Sequence, residues 1–549
     1  MHTQSATTTV TRAVTVAGGV FAPGHLGELT QWLPFEVVDD VLARTRAVQR
    51  RLRVLPSRVG VYFVLALGLF PQLGYARVWD KLTAGLAGLD LPCPSEKALR
   101  DLRRRLGPAP FKALFEVVAG PLAWPYVPGV RFCGLRTVAF DGCSSLRAPA
   151  SARAVAWLGQ VLHVNGFAGY PSLRLMTLAE TGTRGLLGAV IGAAADGTEA
   201  ALARRLLHLL RPGMLVLADR AFDAAWFLDA VAATGARFLI RGTASRSPQV
   251  RQVLPDGSYL SRIGGLDVRI IEADVTVAGA DGSRAGDRYR LITTLADHRL
   301  FPAARLVRLY HERWEIETAY LALRHTLLGG RVLRSGDRPG LEQETWALLT
   351  LYQLLRMAMT DATQSIPGTD PDRASFTTAL HTAADQLITA QDIIPGTPAL
   401  PGAIGQAVLA ALLPPRRPRW SARTVKQGTS RYQSRTDDPR PALPARITAI
   451  TITICAPAPG INLRPQTTAP RTPRPPRPGT LRHRLTTLMN TDPGRPWTGR
   501  ELAAHLHLRP PSLFPALAHW TNAGHLIRTS PATYALPTTP NHWTNSADP

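Results

Sequence analysis

The chain has 549 residues, 45% of them hydrophobic, and carries Lys+Arg 63 against Asp+Glu 39, a formal net charge of +24 with a pI near 11.0. That length exceeds what one core usually supports, so several domains are expected, and the positive excess points to a polyanionic partner. Four scattered cysteines without a CxxC pair argue against a disulfide framework or structural zinc, and the longest apolar run, Val59 to Phe70, is too short to cross a bilayer.

Lysine occurs only at Lys81, Lys97, Lys112 and Lys426, so nearly all the positive charge is arginine. With many Ala, Gly and Pro, that bias also fits a GC-rich genome, which weakens arginine abundance as evidence for phosphate binding. The N-terminus lacks the charged-then-apolar layout of a signal peptide, and a cytoplasmic, nucleoid-associated protein without a membrane partner is expected.

Residues 1–25 read as a flexible tail, Thr-rich and weakly patterned. From Leu26 to about residue 125 the apolar spacing of three and four predicts helices over Val37–Leu52, Val59–Phe70 and Ala76–Leu86. Pro94-Ser95-Glu96 opens another with a cap, and this one carries Arg100, Arg103, Arg104 and Arg105. A basic helix at the end of a helical module could dock in a major groove, so 26–125 is read as an N-terminal DNA-binding domain. An ordinary solvated helix face is the competing reading.

From Arg131 the texture changes to strands: Arg136–Phe140, Ser172–Leu178 and Gly185–Ile191. Next come a helix over Glu199–Leu210, the continuous apolar strand Met214–Ala218, a helix over Asp223–Thr234 and a strand over Arg237–Ile240. Three meandering strands before an α/β alternation predict a mixed sheet, an α/β (α+β) core over 130–360. Residues 241–295 alternate polar and apolar with Asp-Gly and Gly-Gly turns, a β-rich insertion with strands at Leu266–Val275 and Tyr289–Thr294. Helices resume over Ala303–Leu328, Glu342–Met359, Ala374–Ala390 and Ala403–Leu412.

Residues 361–464 form a helical and basic extension, and from Pro415 onward nineteen Arg or Lys face five acids. A Pro/Arg-rich linker spans 465–480. Beyond it, 481–540 resembles a small winged helix, with helices at Leu481–Met489, Gly499–Leu506 and Ser512–Ala523 and strand-like text at Leu526–Leu536.

Three acids carry the chemistry. Asp141 ends the first predicted strand, Asp219 ends the apolar strand, and Glu317 lies on the helix after the insertion. Strand ends present side chains at the rim of a sheet, where ligands bind, and carboxylates suit magnesium. At 100° per residue, Tyr310, Arg313, Glu317 and Arg324 fall within roughly a sixty-degree arc of one helix. One acid is thereby surrounded by phenolic and cationic neighbours, as metal-assisted phosphoryl transfer on nucleic acid requires. Taken singly, each acid also reads as a turn residue, a surface ion pair or a helix salt bridge.

The chain resembles the DDE transposases of the insertion-sequence-four family, whose core is ribonuclease-H-like. The resemblance rests on Val138-Ala139-Phe140-Asp141-Gly142, on Val216-Leu217-Ala218-Asp219-Arg220-Ala221-Phe222, and on the Tyr-x2-Arg-x3-Glu-x6-Lys signature at Tyr310, Arg313, Glu317 and Arg324. It implies a DNA transposase that binds terminal inverted repeats and performs metal-dependent cleavage and strand transfer. Asp141, Asp219 and Glu317 would hold two Mg²⁺ or Mn²⁺ ions, and Tyr310, Arg313, Arg324 and Arg220 would contact double-stranded DNA. A homodimer in a synaptic complex is likewise implied.

Two departures stand out. Arg324 replaces the signature lysine. Hairpin-forming relatives hold a flipped base on a tryptophan of the insertion, whereas here the insertion offers only Tyr259 and Tyr289, so either a tyrosine stacks the base or the end chemistry differs. A catalytically inactive, transposase-derived DNA-binding regulator is the alternative, and a nuclease of the same core that does not join strands is a third reading.

Overall fold

The computed structural model describes residues 24–390, 401–415, 447–457 and 481–536, apart from short gaps at 52, 87–90, 161, 164–165, 168, 281, 283, 312, 314, 493, 509, 523–524 and 531. The expected linker 465–480 and nearly all of the expected tail 1–25 lie outside the described residues. The chain forms two compact units, Met1–Leu463 and Arg464–Pro549.

The first unit begins with five helices, α1 (Phe35–Arg44), α2 (Ser57–Leu69), α3 (Tyr75–Thr83), α4 (Glu96–Leu106) and α5 (Ala109–Val118). α2 is buried on nearly every side, as its all-apolar text demands, and Ser95 caps α4 by accepting from the Ala98 N–H at 3.2 Å. No described helix is long and apolar enough to cross a membrane.

The sheet comes next: β1 (Leu135–Arg147), β2 (Ser172–Glu180), β3 (Leu186–Gly192), β4 (Met214–Ala218) and β5 (Arg237–Arg241), with helices α6 (Ala152–Leu158), α7 (Glu199–Arg204) and α8 (Ala225–Ala233) in the connections. Their spatial order is β3-β2-β1-β4-β5; β1 is antiparallel to β2 and parallel to β4, and β4 is parallel to β5. This is the ribonuclease-H-like arrangement.

The sheet continues past β5 through β8 (Arg284–Thr293), β7 (Leu266–Gly279) and β6 (Tyr259–Ile263), all antiparallel. The insertion strands are longer than the sequence suggests. β7 shares one edge between β6, which pairs at 266–270, and β9 (Ile447–Ile454), which pairs at 273–279. Sequence reading did not anticipate β9, whose partner lies far upstream in the chain.

Side-chain parity divides the core in two. Leu215 and Leu217 of β4 face a helical layer, whereas Val216 and Ala218 face α7 and α8. The helical layer holds α1–α5 together with α9 (Ala303–His311), α10 (Glu315–Leu321), α11 (Arg338–Gln364), α12 (Phe376–Thr389) and α13 (Ala403–Ala410). Arg103 of α4 turns inward and donates to Gln343 Oε1 of α11 at 2.9 Å and to Ser335 Oγ at 3.1 Å. It is therefore a packing residue of this layer, and Arg105 likewise donates to the Leu55 carbonyl at 2.7 Å. Arg100, Arg104 and, despite that bond, Arg105 of the basic quartet remain exposed on α4.

The expected helix over Ala303–Leu328 is not continuous. α9 ends at His311, α10 starts at Glu315, and residues Ala322–Leu327 form a π-helical turn. A π turn holds more residues than an α turn and so rotates the side chains beyond it. The single stripe expected from 100° spacing is thereby broken twice.

The second unit has its own core. It runs α14 (Leu481–Met489), β10 (Trp497–Thr498), α15 (Gly499–His505), α16 (Pro510–Asn522), β11 (Ile527–Ser530) and β12 (Thr533–Ala535), with the strands ordered β10-β12-β11.

Candidate active site

Asp141 does not end its strand: β1 runs on to Arg147, and Asp141 pairs there with Thr177 of β2. What ends near it is the parallel pairing with β4, whose last partners are Ala139 and Leu217. Two residues beyond that pair stand Asp141, still on β1, and Asp219, in the turn just past the end of β4, and adjacent strands lie about 4.8 Å apart. Parity puts both on the face of Ala139, Leu215 and Leu217, which α9 and α10 cover. Glu317 comes from α10, so the fold brings two strands and one helix to a common point.

The turn after β4 is built to hold Asp219. Its carboxylate accepts from the Ala221 N–H at 2.8 Å and caps the single turn Arg220–Phe222. On the opposite face Phe222 packs against Phe140 and Phe227, with ring centroids 6.1 and 5.4 Å away. Arg220 itself is exposed at the rim.

Arg313 lies among the acids. It is buried and donates from Nη2 to Glu317 Oε1 at 3.0 Å, while its Nη1 is buried without a hydrogen-bond partner. Burial alone would lower its pKa, but Tyr310, Asp141, Glu317 and Asp219 together raise it. The Asp141 carboxyl is pushed up to about 7, first by burial and then by Glu317 and Asp219, against the opposing pull of Arg313 and the Gly142 N–H. These mutual effects place Asp141, Asp219, Glu317 and Arg313 in one electrostatic neighbourhood.

Among the described residues, no group of three acid, histidine or cysteine side chains is already arranged to clasp an ion. The donor set nonetheless fits a hard divalent cation. It is all carboxylate oxygen, three acids face the single guanidinium of Arg313, and Asp141 needs positive charge beside it to stay ionised near neutrality.

The other residues of the expected stripe are placed differently. Tyr310 is buried, its ring edge-on to Tyr289 with centroids 5.6 Å apart, and it acts electrostatically on Arg313. Arg324 lies in the π turn, its guanidinium 3.0 Å from His325 Nε2, partly exposed and off the line of Glu317. Neither insertion tyrosine presents a ring for stacking. Tyr259 is buried and donates to Glu272 Oε1 at 3.2 Å, and Tyr289 lies beneath the Arg241 guanidinium at 4.7 Å.

Two further groups were missed by sequence reasoning. Tyr320, three residues after Glu317, donates to the main-chain carbonyl of Asp141 at 2.5 Å and meets Thr177 Oγ1 at 2.8 Å. Its i+3 spacing from Glu317 was the available signal. Glu199, first residue of α7, lies over Gly142, where a Cβ would come within 2.6 Å of its Oε1. No sequence motif marks it.

Residues 23–116 match the family described as insertion element 4 transposase N-terminal, and residues 159–354 match the transposase DDE domain. Asp219 and Glu317 fall inside the second match and Asp141 just upstream of it. The chain is 26% identical over 421 residues to the transposase InsG for insertion sequence element IS4 of Escherichia coli (strain K12), covering 74% of this chain and 93% of that one. A piggyBac transposase synaptic complex with hairpin DNA aligns with a TM-score of 0.36 at 8% identity, covering 72% of this chain and 86% of that chain. With its two family matches and this relative, the chain belongs to the insertion-element-4 family of DDE transposases.

Proposed function

We propose that Asp141, Asp219 and Glu317 are the catalytic, metal-binding triad of this DNA transposase, which acts at the terminal inverted repeats of an insertion sequence. What supports the reading is that Asp141 and Asp219 stand two residues beyond the last parallel β1–β4 pair, with Glu317 of α10 in the same electrostatic neighbourhood.

Divalent-metal use comes with the family, and two Mg²⁺ or Mn²⁺ ions held by the three carboxylates would activate the attacking oxygen and stabilise the leaving one. The chain's own residues do the rest. Arg313 offsets the charge of the acids and keeps Glu317 turned toward the strands until a cation takes over that duty. Tyr320 ties α10 to β1, which fixes the distance between the third acid and the first. Arg220 and Arg324 stand nearer solvent and contact backbone phosphates beside the cut. Water attacks phosphorus at the element end and the 3′ oxygen leaves as a hydroxyl; that hydroxyl then attacks a second phosphate, one ester bond forming as another breaks. Two chains bridging two element ends would form the synaptic complex.

The test is cleavage of labelled duplex from the gene's flanking ends with Mg²⁺ or Mn²⁺. Wild type should nick at the repeat boundary, and Asp219→Ala and Glu317→Gln should fall to background. Wild-type cleavage by Glu317→Gln would refute the triad, and tight binding without cleavage by any protein would point to a regulator.

A further inference from the structure

We infer that the second unit is a separate duplex-DNA reader, in which α16 enters the major groove while α15 and the β11–β12 hairpin hold phosphates. The inference builds on the proposed reaction on duplex DNA but concerns residues outside the catalytic unit.

The element order α14-β10-α15-α16-β11-β12 places two consecutive helices beside a three-stranded antiparallel sheet. Leu502 and Leu506 of the α15 segment and Leu513 and Leu517 of α16 share one core with Trp497. The pair is thereby held as a helix-turn-helix, whose second helix reads base edges while the first crosses the backbone. A hairpin comes next, with Ala532 at its turn in the left-handed region, φ 61.

The outward surface matches that use. Residues 481–536 hold six arginines and two acids. One acid, Glu501, is engaged by the capping box with Thr498 and by Arg495 at 3.6 Å. Arg500 on α15 and Arg528 on β11 are exposed and have no internal partner among the described residues. On α16 the exposed positions Ser512, Pro515, Ala518 and His519 recur at three- and four-residue steps opposite buried Leu513 and Leu517. Ser512 and His519 offer hydrogen bonds to base edges, and Pro515 and Ala518 are short enough to let the helix sit deep against thymine methyl groups. A surface for a protein partner would call for a contiguous apolar face; here the exposed large apolar groups, Phe514 and Ile527, are divided between helix and hairpin.

The experiment uses the full chain, with binding measured in EDTA so that cleavage plays no part. The probes are one fixed duplex of about 40 bp, roughly four helical turns, and a pool of the same length with a randomised centre. R500A/R528A should bind the fixed duplex with a salt slope smaller by about two, and R528K should restore part of it. S512A/H519A should keep the salt slope but lose one block of the selected consensus, with roughly tenfold weaker binding to the wild-type consensus. Wild-type slope and consensus in both double variants would overturn the inference. Loss of cleavage in wild type would bear on the triad and leave these readouts untouched.

Discussion

The hydroxyl of Tyr320 donates to the main-chain carbonyl of Asp141 at 2.5 Å and is met by Thr177 Oγ1 at 2.8 Å. One buried phenol thus clips the helix of Glu317 to the strand of Asp141 and to its neighbour. Burial, and then the adjacent Asp141, hold its pKa well above the ordinary tyrosine value, so it remains a donor at any working pH. Tyr320→Phe should lower cleavage by roughly 10–100-fold, as loss of an outer-shell support does. It should destabilise the fold by about 1–3 kcal/mol, because a buried carbonyl loses its donor. Single-turnover cleavage and thermal melting check both, and unchanged cleavage would show that α10 is placed without this clip.

Stability of the metal-free protein should fall as pH rises from about 4 to about 7. Asp141 is pushed up to about 7 in the folded state, so over that interval the unfolded chain has released a proton that the folded chain retains. The native state then binds more protons, and stability declines with pH. Asp141→Asn should flatten this slope, and added Mg²⁺ should reverse it by favouring the ionised carboxylate. Melting temperatures across pH 4–8, with and without Mg²⁺, measure the effect; a slope identical in Asp141→Asn would place its origin elsewhere.

Gly142 lies under Glu199. A Cβ at 142 would meet Glu199 Oε1 at 2.6 Å, and because that atom is the tip of a flexible, half-exposed side chain that can turn aside, Gly142→Ala should destabilise by no more than about 0.5–1 kcal/mol and slow cleavage modestly. In a Glu199→Ala background the same substitution should be nearly harmless. A double-mutant cycle by denaturant unfolding gives the coupling, and an additive cycle would remove Glu199 from the account.

Away from the site, Arg184 and Asp372 form an ion pair with both side chains almost fully buried, joining the β2–β3 turn to the segment after α11. Asp372→Ala leaves a buried guanidinium uncompensated and should cost about 3–5 kcal/mol. Urea unfolding tests this, with cleavage per folded molecule retained.

Much of this was legible in the residues. The apolar run Met214–Ala218 read as a buried central strand, and three meandering strands before the α/β alternation pointed to the mixed sheet before any contact was known. Asp141, Asp219 and Glu317 were marked by where strands and the signature stand. The fate of the stripe expected over Ala303–Leu328 was not legible, because a fixed 100° step cannot anticipate that α9 ends at His311, that α10 starts at Glu315, or the π turn at Ala322–Leu327. Arg313 is buried, and Arg324 falls within the π turn.

Sequence alone therefore determined the strand order's raw material and the family, and nominated the three acids, since local periodicity and short motifs encode them. Tertiary structure decided everything set by partners distant in the chain. Arg103 bonds to Gln343 of α11, β9 pairs with β7 from far downstream, and Tyr310 is buried against Tyr289. Tyr320 and Glu199 gained roles at Asp141 because strand register and helix docking, which no short window contains, brought them there.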